Sequence, residues 1–197
     1  MCAAFKQLDK AYFLFLLDSV SEMVGPDLAK GILQRIGIKT AGEMVKKFGE
    51  DSLKVDSLEK LLENENPLTI IDDTLEVKDN QILILEKCPF AELINSYLNI
   101  SGSLPPELSE ITHVYNEEGL GYAVSPFCII HQTIREEVSK HIKVNGKNCK
   151  LLQLGCKSSA GEIKFADDNI DSLSIDKDTI ENYLAKKACS YSIRVEE

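Results

Sequence analysis

The chain has 197 residues, long enough for one domain with a real core and no need of disulfide or metal staples. Its 22 basic and 32 acidic residues leave a net charge of −10. That charge repels phosphate backbones and anionic lipid, so neither nucleic acid nor a membrane is an expected partner. The 44% hydrophobic and 27% charged fractions are those of an ordinary globular protein.

In chain order, residues from Asp9 to Val24 read as a helix with apolar side chains on both faces. Its most apolar run, Ala11 to Leu17, is broken by Asp18 and is too short to span a bilayer. It has neither the basic flank nor the cleavage site of a secretory signal, and a cytoplasmic protein is expected. Gly25-Pro26 breaks this helix, and Pro26 opens a second with Leu28, Ile32, Leu33 and Ile36 at helical spacing. Gly37 is expected to end it, with Thr40 capping a third helix that stops at Phe48-Gly49. Asp56 and Glu59 predict a capping box for a fourth, with Leu58, Leu61 and Leu62 facing inward.

The period then changes. Leu68–Ile71, Thr74–Val77 and Gln81–Leu85 read as strands, the last two joined by a two-residue turn at Asp79-Asn80. Cys88-Pro89-Phe90 then opens a helix to about Leu98. The Ser/Gly/Pro-rich segment from Ser101 to Pro106 is expected to be a lid or a link between helices. Ser125-Pro126-Phe127-Cys128 opens a long amphipathic helix to about His141, and Asn145-Gly146 turns the chain into strands over Lys150–Cys156 and Glu162–Phe165. Asp167 to Asp178 reads as an acidic linker, followed by a helix capped at Asp178 and a final edge strand from Ser190 to Val195. The expected architecture is α/β of the α+β kind, with N-terminal helices packed on an antiparallel sheet. One ligand-binding domain would span 1–166, with an appendage over 167–197.

Chemistry concentrates in the cysteines. Six of them scattered over this length do not form a secreted disulfide framework, and in a reducing compartment they would be buried, metal-bound or redox-active. A thiol in the first turn of a helix faces unpaired N–H groups and the positive end of the dipole, which favour the thiolate. Cys88 and Cys128 both have that context, and His131, three residues after Cys128, shares its helix face. With Cys156 these residues form a candidate Cys3His metal set suited to zinc, or alternatively iron, although ferredoxin spacings are absent. Cys2 and Cys189 have no evident partner, and Cys149, after the Asn145-Gly146 turn, is expected to be incidental. His141 near a helix end favours the dipole there. No nucleophile elbow, phosphate loop or dinucleotide fingerprint is present.

Three phrases together resemble the 4-vinyl reductase domain family, small α/β ligand-binding domains related to TRAPP vesicle-tethering subunits and haem-type nitric-oxide sensors. They are the helix–Gly25–helix running into Ile36-Gly37-Ile38-Lys39-Thr40-Ala41-Gly42, the cysteine-led helix from Cys128 to Ile142, and the hairpin from Cys156 through Gly161 to Phe165. Lys164 stands where that family often has a second cysteine. Over roughly residues 10–166 the resemblance implies an antiparallel sheet beside helices, a homodimer, and a cavity or metal site for a small, hydrophobic molecule. A regulatory binding module is thus the first expectation. The alternatives are an enzyme with Cys88 or Cys128 as nucleophile and His131 as base, and a dimeric assembly subunit joined through the N-terminal helix.

Overall fold

A computed structural model describes residues 15–16, 18–63, 65–68, 74–78, 80–86, 126–157, 163–165, 167–171, 176–186 and 189–196. Within these the chain is α+β, helices packed on a mixed sheet. The expected helix from Cys88, the loop at 101–106 and residues 69–71 of the first expected strand lie outside the described residues, as does Cys88 itself.

Residues 18–24 are helical, and Gly25 breaks the run with φ +83°, a conformation costly for any side-chain-bearing residue. Helix α1 then runs Pro26–Phe48 without interruption. Gly37 therefore does not end a helix as expected. It lies in the middle of one, and Gly49 (φ +78°) is the terminator, its N–H donating to Val45 O at 2.8 Å. The apolar residues of α1 also divide differently from the simple expectation. Ala29, Leu33, Gly37, Ala41 and Val45 are buried, whereas Leu28, Ile32 and Ile36 form an exposed stripe four residues apart. A short 3-10 turn, Glu50–Leu53, leads into β1, Lys54–Val55, neither of which the pattern signalled. Helix α2 spans Leu58–Glu63 with Leu58 and Leu61 buried, and its cap is Ser57, whose Oγ accepts from Lys60 N at 3.5 Å; Asp56 instead pairs with Lys60 Nζ at 2.6 Å.

Strands β2, Thr74–Lys78, and β3, Gln81–Glu86, form the predicted hairpin, with Lys78 opposite Gln81 and Asn80 at φ +60°. Helix α3, Pro126–Ser139, begins at the predicted proline. Strand β4, Lys143–Val144, pairs parallel to β1 and turns through Asn145-Gly146, both at positive φ, into β5, Lys147–Lys157. Asn145 also ties the turn to β1, donating from its backbone to Val55 O and from Nδ2 to Asp56 O. Strand β6, Ile163–Phe165, returns antiparallel along the end of β5.

The C-terminal segment departs most from expectation. Asp167–Asp171 forms a short helix, α4, with Ile170 buried and Asn169 Nδ2 donating to Gln153 O at 2.8 Å. Helix α5, Lys177–Lys186, is capped by Asp176, two residues earlier than the predicted Asp178: its carboxylate accepts from Asp178 N and Thr179 Oγ1 at 3.1 Å each. Strand β7, Cys189–Val195, is an interior strand and not an edge: β5 pairs with one side and β3 with the other, both antiparallel. Its inward positions explain why. Tyr191, Ile193 and Val195 join Ile82, Ile84, Cys149 and Leu151 in one cluster, and two edges of hydrogen-bonding groups are left for neighbours. The sheet order is β1-β4-β5-β7-β3-β2, with β6 beside β5.

That cluster is roofed by helix residues: Ala41 and Val45 from α1, and Ile134, Val138 and Ile142 from α3 and the residues after it. Helices α1 and α3 meet where Gly37 lies. A Cβ at Gly37 would stand 2.7 Å from Thr133 Cβ and 2.9 Å from Ile130 O, so the missing side chain sets the distance between the helices.

Candidate functional site

Cys128 is the third residue of α3 and His131 lies one turn on, half-buried. The predicted first-turn context of Cys128 is thus present in the backbone. Cys156 is the penultimate residue of β5. Cys88 follows Glu86, the last residue of β3, by two positions in sequence.

Chain direction relates these positions. Helix α3 ends at Ser139 and the chain passes through Ile142 into β4, which pairs with the first residues of β5. Helix α3 therefore lies over the sheet with its C-terminal end toward the start of β5. One contact sets the level: the guanidinium of Arg135, which is 2% exposed, stacks 4.5 Å from the centroid of the Tyr191 ring. A cation held over an aromatic face inside the protein is a strong anchor, because little water competes for it. Tyr191 is opposite Gln153 on β5. Cys128 precedes Arg135 by seven residues, two helical turns or about 10 Å, on the same side of the helix. Cys156 follows Gln153 by three residues, also about 10 Å along a strand. Both displacements run toward the same end of the helix-covered face.

The register adds a residue that sequence reasoning passed over. Cys156 is directly opposite Cys189, which lies two residues before Tyr191 on β7. The pairing depends on a bulge. From Cys149 to Gln153 the pairs keep step, Cys149 with Val195 and Gln153 with Tyr191; the register then shifts so that Gly155 meets Ser190 and Cys156 meets Cys189. Leu154 is the extra residue, fully buried. Without it Cys156 would face position 188 and belong to the opposite side of the sheet. With it, Cys156 and Cys189 share the face on which Tyr191 meets Arg135. A row of register partners crosses four strands there: Lys164, Cys156, Cys189 and Glu86. The separation of the two cysteines in sequence, together with the bulge, explains why spacing offered no signal.

Three further groups among the described residues have structural roles. Cys149 is buried in the core cluster, and burial, with a smaller contribution from Glu196, pushes its thiol up to about 11. His141 Nδ1 stands 3.7 Å from Glu50 Oε1, joining the end of α3 to the turn before β1. Ser192 Oγ donates to Gln81 Oε1 at 2.7 Å within the sheet. Among the described side chains, which exclude those of Cys88, Cys128 and Cys156, no group of three or more metal-ligating residues is assembled. Among the described residues no helix is long and apolar enough to cross a membrane.

Comparison with known proteins returned no matching family model, no matching curated protein and no matching solved structure.

Proposed function

We propose that the chain is a cytoplasmic small-ligand- or metal-binding regulatory module whose site is built by Cys88, Cys128, His131 and Cys156. The observation that carries this reading is that the N-terminal turn of α3 and the end of β5 lie toward one end of the same helix-covered face, levelled by the Arg135–Tyr191 stack. Three thiolates and an imidazole suit zinc, and a closed set of four is a structural or sensing site and not a hydrolytic one. Iron is the second choice of metal. With one ligand withdrawn, the open position would accept a small molecule. Its occupancy would then alter the surface offered to a partner. The resemblance to 4-vinyl reductase domains fits such a module.

The test is elemental analysis of untagged full-length protein purified without added metal. Near-stoichiometric zinc or iron is expected, retained in Cys149→Ser and lost in Cys128→Ser and Cys156→Ser. Metal-free protein whose thiols react independently, with no protection by added zinc, would refute the metal site.

A homodimer belongs to the same proposal. The exposed stripe of Leu28, Ile32 and Ile36 on α1, continued by Met23 and Val24, favours it, since contiguous apolar surface of this kind marks interfaces. It equally supports the second reading, an assembly subunit in which the cysteines are only packed.

A further inference from the structure

We propose that Cys156 and Cys189 are a cross-strand redox pair, a dithiol in the reduced protein and a disulfide in the oxidised one. The juxtaposition rests on the register alone: two cysteines directly opposite on adjacent antiparallel strands, β5 and β7. Opposed residues in such a pair have Cα atoms about 4.5–5.5 Å apart. A disulfide spans roughly 4.4–6.8 Å between Cα atoms, so this register position needs no displacement of the strands to be bridged. The bulge at Leu154 is what brings the two cysteines opposite one another, and bulged strands also carry extra local twist.

The thiolate of one cysteine attacks one sulfur of a small-molecule disulfide such as glutathione disulfide and releases one glutathione thiolate. The resulting mixed disulfide is attacked by the thiolate of the other, forming the Cys156–Cys189 bond and releasing the second glutathione. Two protein thiols are oxidised and one glutathione disulfide is reduced to two thiols, so electrons and atoms balance.

One consequence rests on the metal reading above. A Cys156 sulfur committed to a disulfide cannot serve as a thiolate ligand, so oxidation would open the metal site and bound metal would retard oxidation. The pair itself needs no metal.

The experiment uses full-length protein, reduced and stripped of metal with a chelator, then exposed to glutathione disulfide and quenched in acid before alkylation and tryptic mapping. The expected product is the peptide 151–157 joined to the peptide 188–194, from wild-type and Cys149→Ser protein and not from Cys156→Ser or Cys189→Ser. The wild-type linkage is decisive even if a serine variant fails to fold. Separate glutathionylation of the two cysteines, or bridges to other cysteines in place of this one, would overturn the proposal. A parallel arm repeats the oxidation with zinc present. A linkage that forms at least tenfold more slowly supports both the pair and Cys156 as a ligand. A linkage that forms unchanged supports the pair and counts against the metal site.

Discussion

Replacing Gly37 by alanine tests the packing that positions the site. An added Cβ would lie 2.7 Å from Thr133 Cβ, 2.9 Å from Ile130 O and 3.0 Å from Thr133 Cγ2. Comfortable carbon contacts are about 3.5–4.0 Å, so α1 and α3 would have to separate by roughly 1 Å. The obstructing atoms are a backbone carbonyl and a β-carbon, and neither can swing aside as a long side chain would. Ala29, Leu33, Ala41 and Val45 lie along the same buried side of α1 and would lose contact as the helices part. Overpacking of this kind costs about 1–3 kcal/mol, against which alanine recovers about 1 kcal/mol of helix propensity. Gly37→Ala should therefore lower stability by up to about 2 kcal/mol. Gly31 and Gly42 on the same helix have nothing within 4 Å of an added Cβ, and there the propensity gain stands alone. Gly31→Ala and Gly42→Ala should stabilise by up to about 1 kcal/mol. Urea unfolding followed by far-ultraviolet circular dichroism measures all three, since the chain has no Trp to report by fluorescence. A rise in midpoint for Gly37→Ala equal to that for Gly31→Ala would refute the close approach of α1 to α3. Because Ile130 and Thr133 flank His131, Gly37→Ala should also weaken any metal retained by the protein.

Ile32→Asp places a charge in the exposed stripe of α1 and should convert a homodimer to monomer in sedimentation velocity with the helical signal unchanged; identical sedimentation of wild type and variant would exclude that face as the interface. Cys149 should resist alkylation in the folded protein at neutral pH while remaining reactive once unfolded, because its thiol is pushed up to about 11. The folded state thus holds that proton more tightly than the unfolded chain, where 9.0 applies, so the contribution of Cys149 to stability is present below 9 and is lost as pH rises from 9 through about 11. Cys149→Ala should flatten the stability profile over that interval, and an unchanged slope would contradict the burial.

Much of the fold was legible in local pattern. Period-two apolar runs and Asp79-Asn80 placed one hairpin, Asn145-Gly146 marked the turn into β5, and Pro26 and Pro126 marked two helix starts, because each of these signals is a property of a few consecutive backbone torsions. Gly37 shows where local reading stops. By propensity it is a helix terminator, yet here the helix runs through it, because the absent side chain is what lets a second helix pack closely. Likewise the polar approach to β7 resembled a tail, since nothing local distinguishes an edge strand from one paired on both sides.

The candidate site divides along the same line. The sequence by itself determined that Cys128 enters a helix behind Pro126 with His131 one turn later, because helical spacing is a local matter. Only the tertiary structure decided which face of the sheet that turn overlies, through Arg135 buried against Tyr191. It also decided that Cys156 is opposite Cys189. That pairing is a difference of one residue in register, made by a bulge around the buried Leu154. In a strand of period two, one residue exchanges the two faces, so no amount of spacing along the chain could have assigned it.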